Sequence, residues 1–540
     1  MQTPLHRCVR VLTLLAAINF SFTLIAQEQD YSGGTLAFKV ITGEESGLKE
    51  IMLDWHDEEL RRQGGKFQSH GWWLWGLTAL DVDNDGDMDL VPTHHGISGG
   101  AILKNQFKET GKLTFVNLSK SLGIEQRTLP QGIGLKTTAL DLDGDGWLDL
   151  VGIRSAHFRN EGGKTFTAPA KSRFSTLHTQ SVEDVNADGF PDIVDGRHIH
   201  LSDPEAFSFK TQPRPFASIN DRLPEHVIRA ALEKEKTSRF WRRRYHTGDD
   251  LNGDGIDDVV FSGISGYSKQ ALAFYLVADR SGQFTDATKV SGLPGDAHPA
   301  LIADLNSDGH VDVLATDHKT AGGLYLNDGN GRFTLKDGPL TGFVRRVGPY
   351  AERAWPVDFD CDRDLDLVVS NPRYSAERVF ENAGESNFNL VIQHRGWDSA
   401  PIAICDIDGD DRLDVVSGGP KTDITIFLNQ SQVGNYCNLY PRMDKPNWTA
   451  AGALVEVFKP ADLGKPGSRP FLKQKAHADA TPIHIGLGTA KTFDLRVSFP
   501  GKDKKVIELT NVEAKPRLKI TLDGKINDTS VGAYVTDRED

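Results

Sequence analysis

The sequence predicts an all-β protein, a seven-bladed β-propeller followed by a small β-rich C-terminal domain. Three observations carry this. An acidic nine-residue loop recurs seven times, its successive starts 43 to 66 residues apart. Each loop is bracketed by short apolar or β-branched runs that read as two antiparallel strands. After them come further strand-like runs, joined by an Asn/Gly turn that leads into a Phe. Four strands per unit, repeated about every 50 residues, is a propeller-blade pattern.

The loops come first because they fix the period. Loop 1 places Asp81, Asp83, Asp85, Asp87 and Asp89 at positions one, three, five, seven and nine, with Gly86 at position six. The same positions hold Asp141, Asp143, Asp145, Trp147 and Asp149 in loop 2, and Asp184, Asn186, Asp188, Phe190 and Asp192 in loop 3. Loop 4 has Asp250, Asn252, Asp254, Ile256 and Asp258; loop 5 has Asp304, Asn306, Asp308, His310 and Asp312. Loop 6 has Asp358, Asp360, Asp362, Asp364 and Asp366; loop 7 has Asp406, Asp408, Asp410, Arg412 and Asp414. Alternating hard oxygens around a tight turn suit Ca²⁺, which takes six to eight oxygen ligands. Position seven is included through its main-chain oxygen, whatever its side chain. The loops are not EF-hands: position 12 of loop 1 is Pro92, and Leu90-Val91 is a strand-like pair. One such loop would be an ordinary turn; seven with one ligand pattern predict up to seven Ca²⁺ ions.

The chain has 540 residues, room for more than one domain. Its formal net charge is −14. Loss of Arg7 and Arg10 with a leader segment takes this to −16, and seven divalent ions return it to about −2. The acidity is therefore mostly ligand charge. No long basic run suggests nucleic acid. Arg7 and Arg10, the broken apolar stretch Val11 to Ile25 and Leu24-Ile25-Ala26 read as a secretory signal over 1–26, too short for a membrane span. This predicts a secreted, periplasmic or cell-surface protein. Cys361, Cys405 and Cys437 remain after cleavage, an odd number with no evident pairing.

The propeller is expected over 36–433. Phe38 to Leu48 resembles Phe284 to Leu293, an outer strand with no inner strands before it. The last repeat has a third strand at Ile424 to Asn429 and lacks a fourth. The N-terminal strand would complete that blade and remove the open edge.

These loops, with turns such as Leu324-Tyr-Leu-Asn327-Asp-Gly329-Asn-Gly331-Arg-Phe333, resemble FG-GAP/VCBS repeats, as in integrin α-subunit propellers. The resemblance implies Ca²⁺ in loops on one face of the ring. Arg363 and Asp411 replace the position-six Gly in loops 6 and 7, which makes loop 6 the weakest expected site. Residues 434–524, with Ala451 to Val457, His484-Ile-Gly486-Leu-Gly488 and Phe493 to Pro500, resemble the ASPIC/UnbV domain that follows such propellers in the cartilage acidic protein family. The resemblance implies an extracellular protein without assigning an activity. His484 reads as a packing residue beside a Gly turn, with a ligand role as the alternative. The tail 525–540 is polar and is expected to be loose.

The segments that feed each first strand begin at the face opposite the loops. They carry Trp72, Trp241, Tyr245, His246, His298, Tyr350, Arg353 and Trp397. Aromatic faces with Arg and His around a central funnel suit a glycan, especially an anionic one, or a protein ligand. A helical insertion at about 221–244, with an apolar stripe at Val227, Ile228, Ala231 and Leu232, either caps this funnel or decorates the surface. The first functional reading is a calcium-stabilised binding or adhesion module. The alternative is a polysaccharide lyase with a Tyr or His base and an Arg at the uronate carboxylate. No HExxH, phosphate loop or CxxC pair points to other chemistry.

Overall fold

The computed structural model describes residues 31–33, 35–54, 74–94, 101–124, 137–152, 157–168, 179–195, 198–213, 223–237, 241–247, 250–265, 271–295, 298–316, 322–341, 353–370, 377–394, 401–418 and 424–529. The chain is all-β. Seven antiparallel sheets precede residue 430, and two four-stranded sheets follow it.

Each acidic loop joins the first two strands of its sheet. In the first sheet these are Leu74–Leu80 and Asp89–His94, followed by Leu103–Asn105 and Phe115–Asn117. The same order recurs in the next five sheets, for example Arg353–Val357, Asp366–Ser370, Glu377–Asn382 and Phe388–His394 in the sixth. The seventh contains Ile402–Cys405, Asp414–Gly418 and Ile424–Asn429, and takes its fourth strand, Leu36–Ile41, from the N-terminus. Phe38 pairs with Asn429 in the register that sets Phe115 on Asn105, Phe166 on Asn160, Phe333 on Asn327 and Phe388 on Asn382. The swapped strand is thus a true fourth strand, as the sequence predicts. Tyr31–Gly33 adds a fifth strand outside it.

Apolar side chains are shared between consecutive sheets. Leu140, Val151 and Ile193 join the second sheet to the third; Val260, Tyr275 and Val313 join the fourth to the fifth; Phe38, Val368 and Val415 join the sixth to the seventh. One large cluster then returns from the seventh to the first and second through Ile426, Leu74 and Leu150. The helix Glu225–Thr237 lies on the fourth sheet. Val227 is buried against Val259, Phe261 and Leu276, and His226 Nε2 stands 2.6 Å from Asp286 Oδ2. Among the described residues no helix is long and apolar enough to cross a membrane.

After residue 430 two sheets enclose their own core, with Leu439, Val455, Val457, Ile485, Leu495 and Phe499 fully or almost fully buried. The first sheet contains Asn435–Arg442, which pairs antiparallel with Ile483–Gly488 and parallel with Arg517–Thr521. Its fourth strand, Ile526–Asp528, pairs with Arg517–Thr521, so the segment expected to be loose from 525 is held in the sheet at its start. The three described cysteines are buried free thiols.

Candidate metal centres

All seven loops fold by one hydrogen-bond scheme. The position-one carboxylate accepts the amide of position six at 2.7–3.0 Å through Oδ2, and that of position five through Oδ1. The position-five Oδ1 accepts the amide of position seven. The position-nine Asp is nearly fully buried in every loop. Its Oδ2 accepts the amide of position two, and its Oδ1 accepts a main-chain amide at the end of the third strand at 2.7–3.0 Å. Every loop is therefore cross-tied to its own sheet.

Position six needs positive φ. Gly86 has φ 96°, and Arg363 and Asp411 adopt 86° and 70°. The fold imposes the turn on both non-glycine residues. Arg363 does not turn back onto the loop carboxylates. Its Nη2 donates to the Leu487 carbonyl at 2.7 Å, and its guanidinium lies over the Phe471 ring.

Carboxylate oxygens converge in four loops: Asp81, Asp83 and Asp85 in loop 1, with Asp87 beside Glu109; Asp141, Asp143 and Asp149; Asp358, Asp360 and Asp366; Asp406, Asp408 and Asp414. These clusters are able to hold a metal ion. Loops 3, 4 and 5 carry Asn at position three, and Asn186, Asn252 and Asn306 donate to the position-five Asp. Burial pushes the carboxyls of Asp81, Asp141 and Asp406 up to about 7, and neighbouring carboxylates add to the rise. Burial likewise holds Asp89, Asp149, Asp366 and Asp414 well above the usual carboxylate range. A hard dication would relieve this crowding, so the donor sets fit Ca²⁺.

Sequence reasoning missed a second layer. The Asn that ends the third strand uses its side chain as a latch. Asn105, Asn160, Asn327, Asn382 and Asn429 donate Nδ2 to the position-two carbonyl of the preceding loop, those of Ile407, Val82, Leu251, Leu305 and Phe359, at 2.8–3.0 Å. In three sheets the residue before that Asn stands among the loop acids. Lys104 stands among Asp83, Asp85 and Glu109; Arg159 Nε is 2.8 Å from Asp143 Oδ2; Glu381 lies beside Asp360. The recurrent Asn-Gly turns are the signal that could have located both positions.

The C-terminal module sits on the loops. Trp448 Nε1 donates to Asp141 Oδ2 at 3.0 Å, and Arg469 Nη1 donates to the Gly309 carbonyl at 2.6 Å. The amides of Gly434 and Gly488 donate to the Asp360 and Cys361 carbonyls. Arg517 pairs with Asp411, and Lys475 with Glu183. His484 is a joint residue. Its Nδ1 is 2.7 Å from Asn438 Oδ1 and its Nε2 is 3.3 Å from Cys361 Sγ. A cavity of about 1100 Å³ lies between the module and the first strands, lined by Leu77, Thr138, Trp355, Ile404, Phe471 and His477 among others.

Of the residues expected at the opposite face, Trp72, Tyr350 and Trp397 lie outside the described residues. Trp241, Tyr245 and His246 lie on the strand Trp241–Thr247, His298 opens His298–Ala303 and Arg353 opens Arg353–Val357; their side chains are likewise outside the description.

Residues 138–194, 250–315, 304–369 and 358–417 match the FG-GAP-like repeat family. Cartilage acidic protein 1 of Xenopus tropicalis is 22% identical over 524 residues, covering 84% of this chain and 78% of its own. The Homo sapiens protein of that name is 22% identical over 474 residues, covering 79% of this chain and 68% of its own. Among solved structures, an Agrocybe aegerita lectin is 20% identical, with a TM-score of 0.35 over 66% of this chain and 86% of that one.

Proposed function

We propose, from the premise that this chain is an FG-GAP-repeat protein related to cartilage acidic protein 1, that it is a secreted, calcium-loaded, seven-bladed propeller acting as an extracellular binding module. Each of the seven sheets is one blade. Ca²⁺ occupies the loops, held by the carboxylates at positions one, three, five and nine and by the position-seven carbonyl. Metal here is structural: it neutralises buried carboxylates and locks each loop onto its blade.

The observation that carries this reading is the seating of the C-terminal module on the loop face. Its contacts reach carbonyls and carboxylates of loops 2, 5, 6 and 7. That face is committed to an internal interface. The face at the start of each first strand, where Trp241, His298 and Arg353 open their strands, is left for a glycan or protein ligand, whereas Tyr245 and His246 stand toward the loop end of theirs.

A glycan and polyuronate array, probed with the full-length chain in calcium, tests this. Binding without unsaturated product, and lost on Trp241→Ala, is expected. Accumulation of unsaturated product would replace the binding reading with the lyase one.

A further inference from the structure

The seven loops differ at one place that the repeat pattern leaves free, the residue before the third-strand latch position. In chain order it is Lys104, Arg159, Leu201, Val277, Leu326, Glu381 and Leu428. Four are apolar, two are basic and one is acidic.

In loop 6 the acid adds to an already crowded cluster. Asp358, Asp360, Asp366 and Glu381 are 8%, 4%, 1% and 2% exposed. Thr35, just before the strand that closes the seventh sheet, ties two of them together. Its hydroxyl contacts Asp360 Oδ2 and donates to Glu381 Oε1 at 2.9 Å, while its amide donates to the same Oε1 at 2.6 Å. The other oxygens, Asp360 Oδ1 and Glu381 Oε2, are buried with no hydrogen-bond partner. Among the described residues no lysine or arginine forms an ion pair with these four carboxylates, and Arg363 is directed to Leu487 instead. Two buried carboxylates joined through Thr35, each with an unpartnered oxygen, are stabilised by a cation or, in its absence, by a proton. In loop 1 the chain supplies a cation of its own. The Lys104 ammonium lies 2.6 Å from Asp85 Oδ2 and 2.9 Å from Glu109 Oε1, and also contacts Asp83. Its single charge is shared among three acids, and Asp83 Oδ1 is still buried with no hydrogen-bond partner.

We propose that this residue grades the seven cation sites. Glu381 makes loop 6 the tightest calcium site of the ring, with Glu381 as an extra carboxylate ligand from the third strand. Among the four loops with converging carboxylates, Lys104 makes loop 1 the weakest, its ammonium standing in for the ion. The order reverses the expectation drawn from Arg363. It also places the strongest ion where Thr35 anchors the closing strand, so filling loop 6 and closing the ring are linked. The inference rests on the calcium reading above and adds residue-specific strengths to it.

Calorimetric titration of the chelator-stripped full-length chain with calcium, with the bound ions counted by native mass spectrometry, tests the grading. Glu381→Gln keeps the shape and the acceptor for Thr35 while removing the charge. It is expected to weaken the tightest site about tenfold or more, with the weaker sites unchanged. Lys104→Gln is expected to tighten one of the weaker sites by a similar factor, and it carries the test should Glu381→Gln fail to fold. Calcium binding with neither the tightest site moved by the first variant nor a weaker one by the second would overturn the grading alone. Absence of calcium binding in the wild type would overturn the calcium reading and the grading with it.

Discussion

Asn105 donates its side-chain amide to the carbonyl of Ile407 at 2.8 Å, across 302 residues of sequence. This bond joins the first sheet to the loop of the seventh. Together with the Phe38–Asn429 pairing it ties the N-terminal part of the chain to the seventh sheet at two places. The same latch links the second sheet to loop 1 and the fifth, sixth and seventh to the loops before them. The third and fourth sheets have Ser202 and Ala278 at that position. The Ser202 hydroxyl bonds the Pro191 carbonyl of its own loop.

Removing a latch leaves a buried carbonyl unpaired. Asn105→Ala is expected to cost about 2 kcal/mol. Ser202→Ala, which breaks no bond between sheets, is expected to cost less. Denaturant unfolding at fixed calcium measures both. Equal losses would contradict the special role of the latch.

Gly486 of the C-terminal module lies tight against loop 6. A Cβ there would overlap Asp358 Oδ2 and crowd the Cys361 backbone. Gly486→Ala is therefore expected to unseat the module, exposing the 430–434 joint to protease while each part keeps its own core. Arg363→Ala removes the bond to Leu487 and the stack on Phe471, and is expected to loosen the same joint more mildly. Limited proteolysis followed by mass spectrometry reads both. Unchanged cleavage in Gly486→Ala would contradict the docked arrangement.

The loop carboxyls give the metal-free protein a pH dependence of known sign. Asp81, Asp141, Asp312 and Asp406 are raised from 3.8 to about 7, by burial first. A raised folded-state value means that the folded state holds the proton more tightly. Its contribution to stability is complete below about 4 and is lost as pH rises through about 7. The metal-free chain is expected to lose melting temperature across that interval. The calcium-loaded chain, its carboxylates paired with ions, should not. The gap between the two should thus widen from pH 4 to pH 7. Parallel melting curves in chelator and in calcium over this range check the sign.

Much of the repeat architecture was legible because it is written in the ligand-bearing loops and the Asn/Gly turns. The closing strand was legible too, since Phe38 and Gly47 copy a fourth-strand pattern found elsewhere in the chain. The latches were not, because an Asn before a Gly turn reads as turn chemistry, and only the packing shows that its side chain crosses to the preceding loop. Lys104 and Glu381 were invisible as members of the clusters, since they lie on a different strand from the motif and break its repeat. The seat of the C-terminal module was hidden for a related reason. Its contacts run largely to main-chain atoms, such as the Gly309, Asp360 and Cys361 carbonyls, which carry no side-chain signature. Arg363 and Asp411 looked like defects in two loops, and the fold uses both as anchors for that module.

In the proposed function, divalent calcium in the loops holds the seven sheets together. Thermal unfolding of the full-length chain in calcium and after chelation, with bound metal counted in both samples, tests it most directly. Twenty-five carboxylates stand at positions one, three, five and nine, and without ions they repel within each loop. Several bound calcium ions are expected, with a large fall in melting temperature on their removal that calcium restores. An unchanged melting temperature, with loss of the metal confirmed, would contradict it.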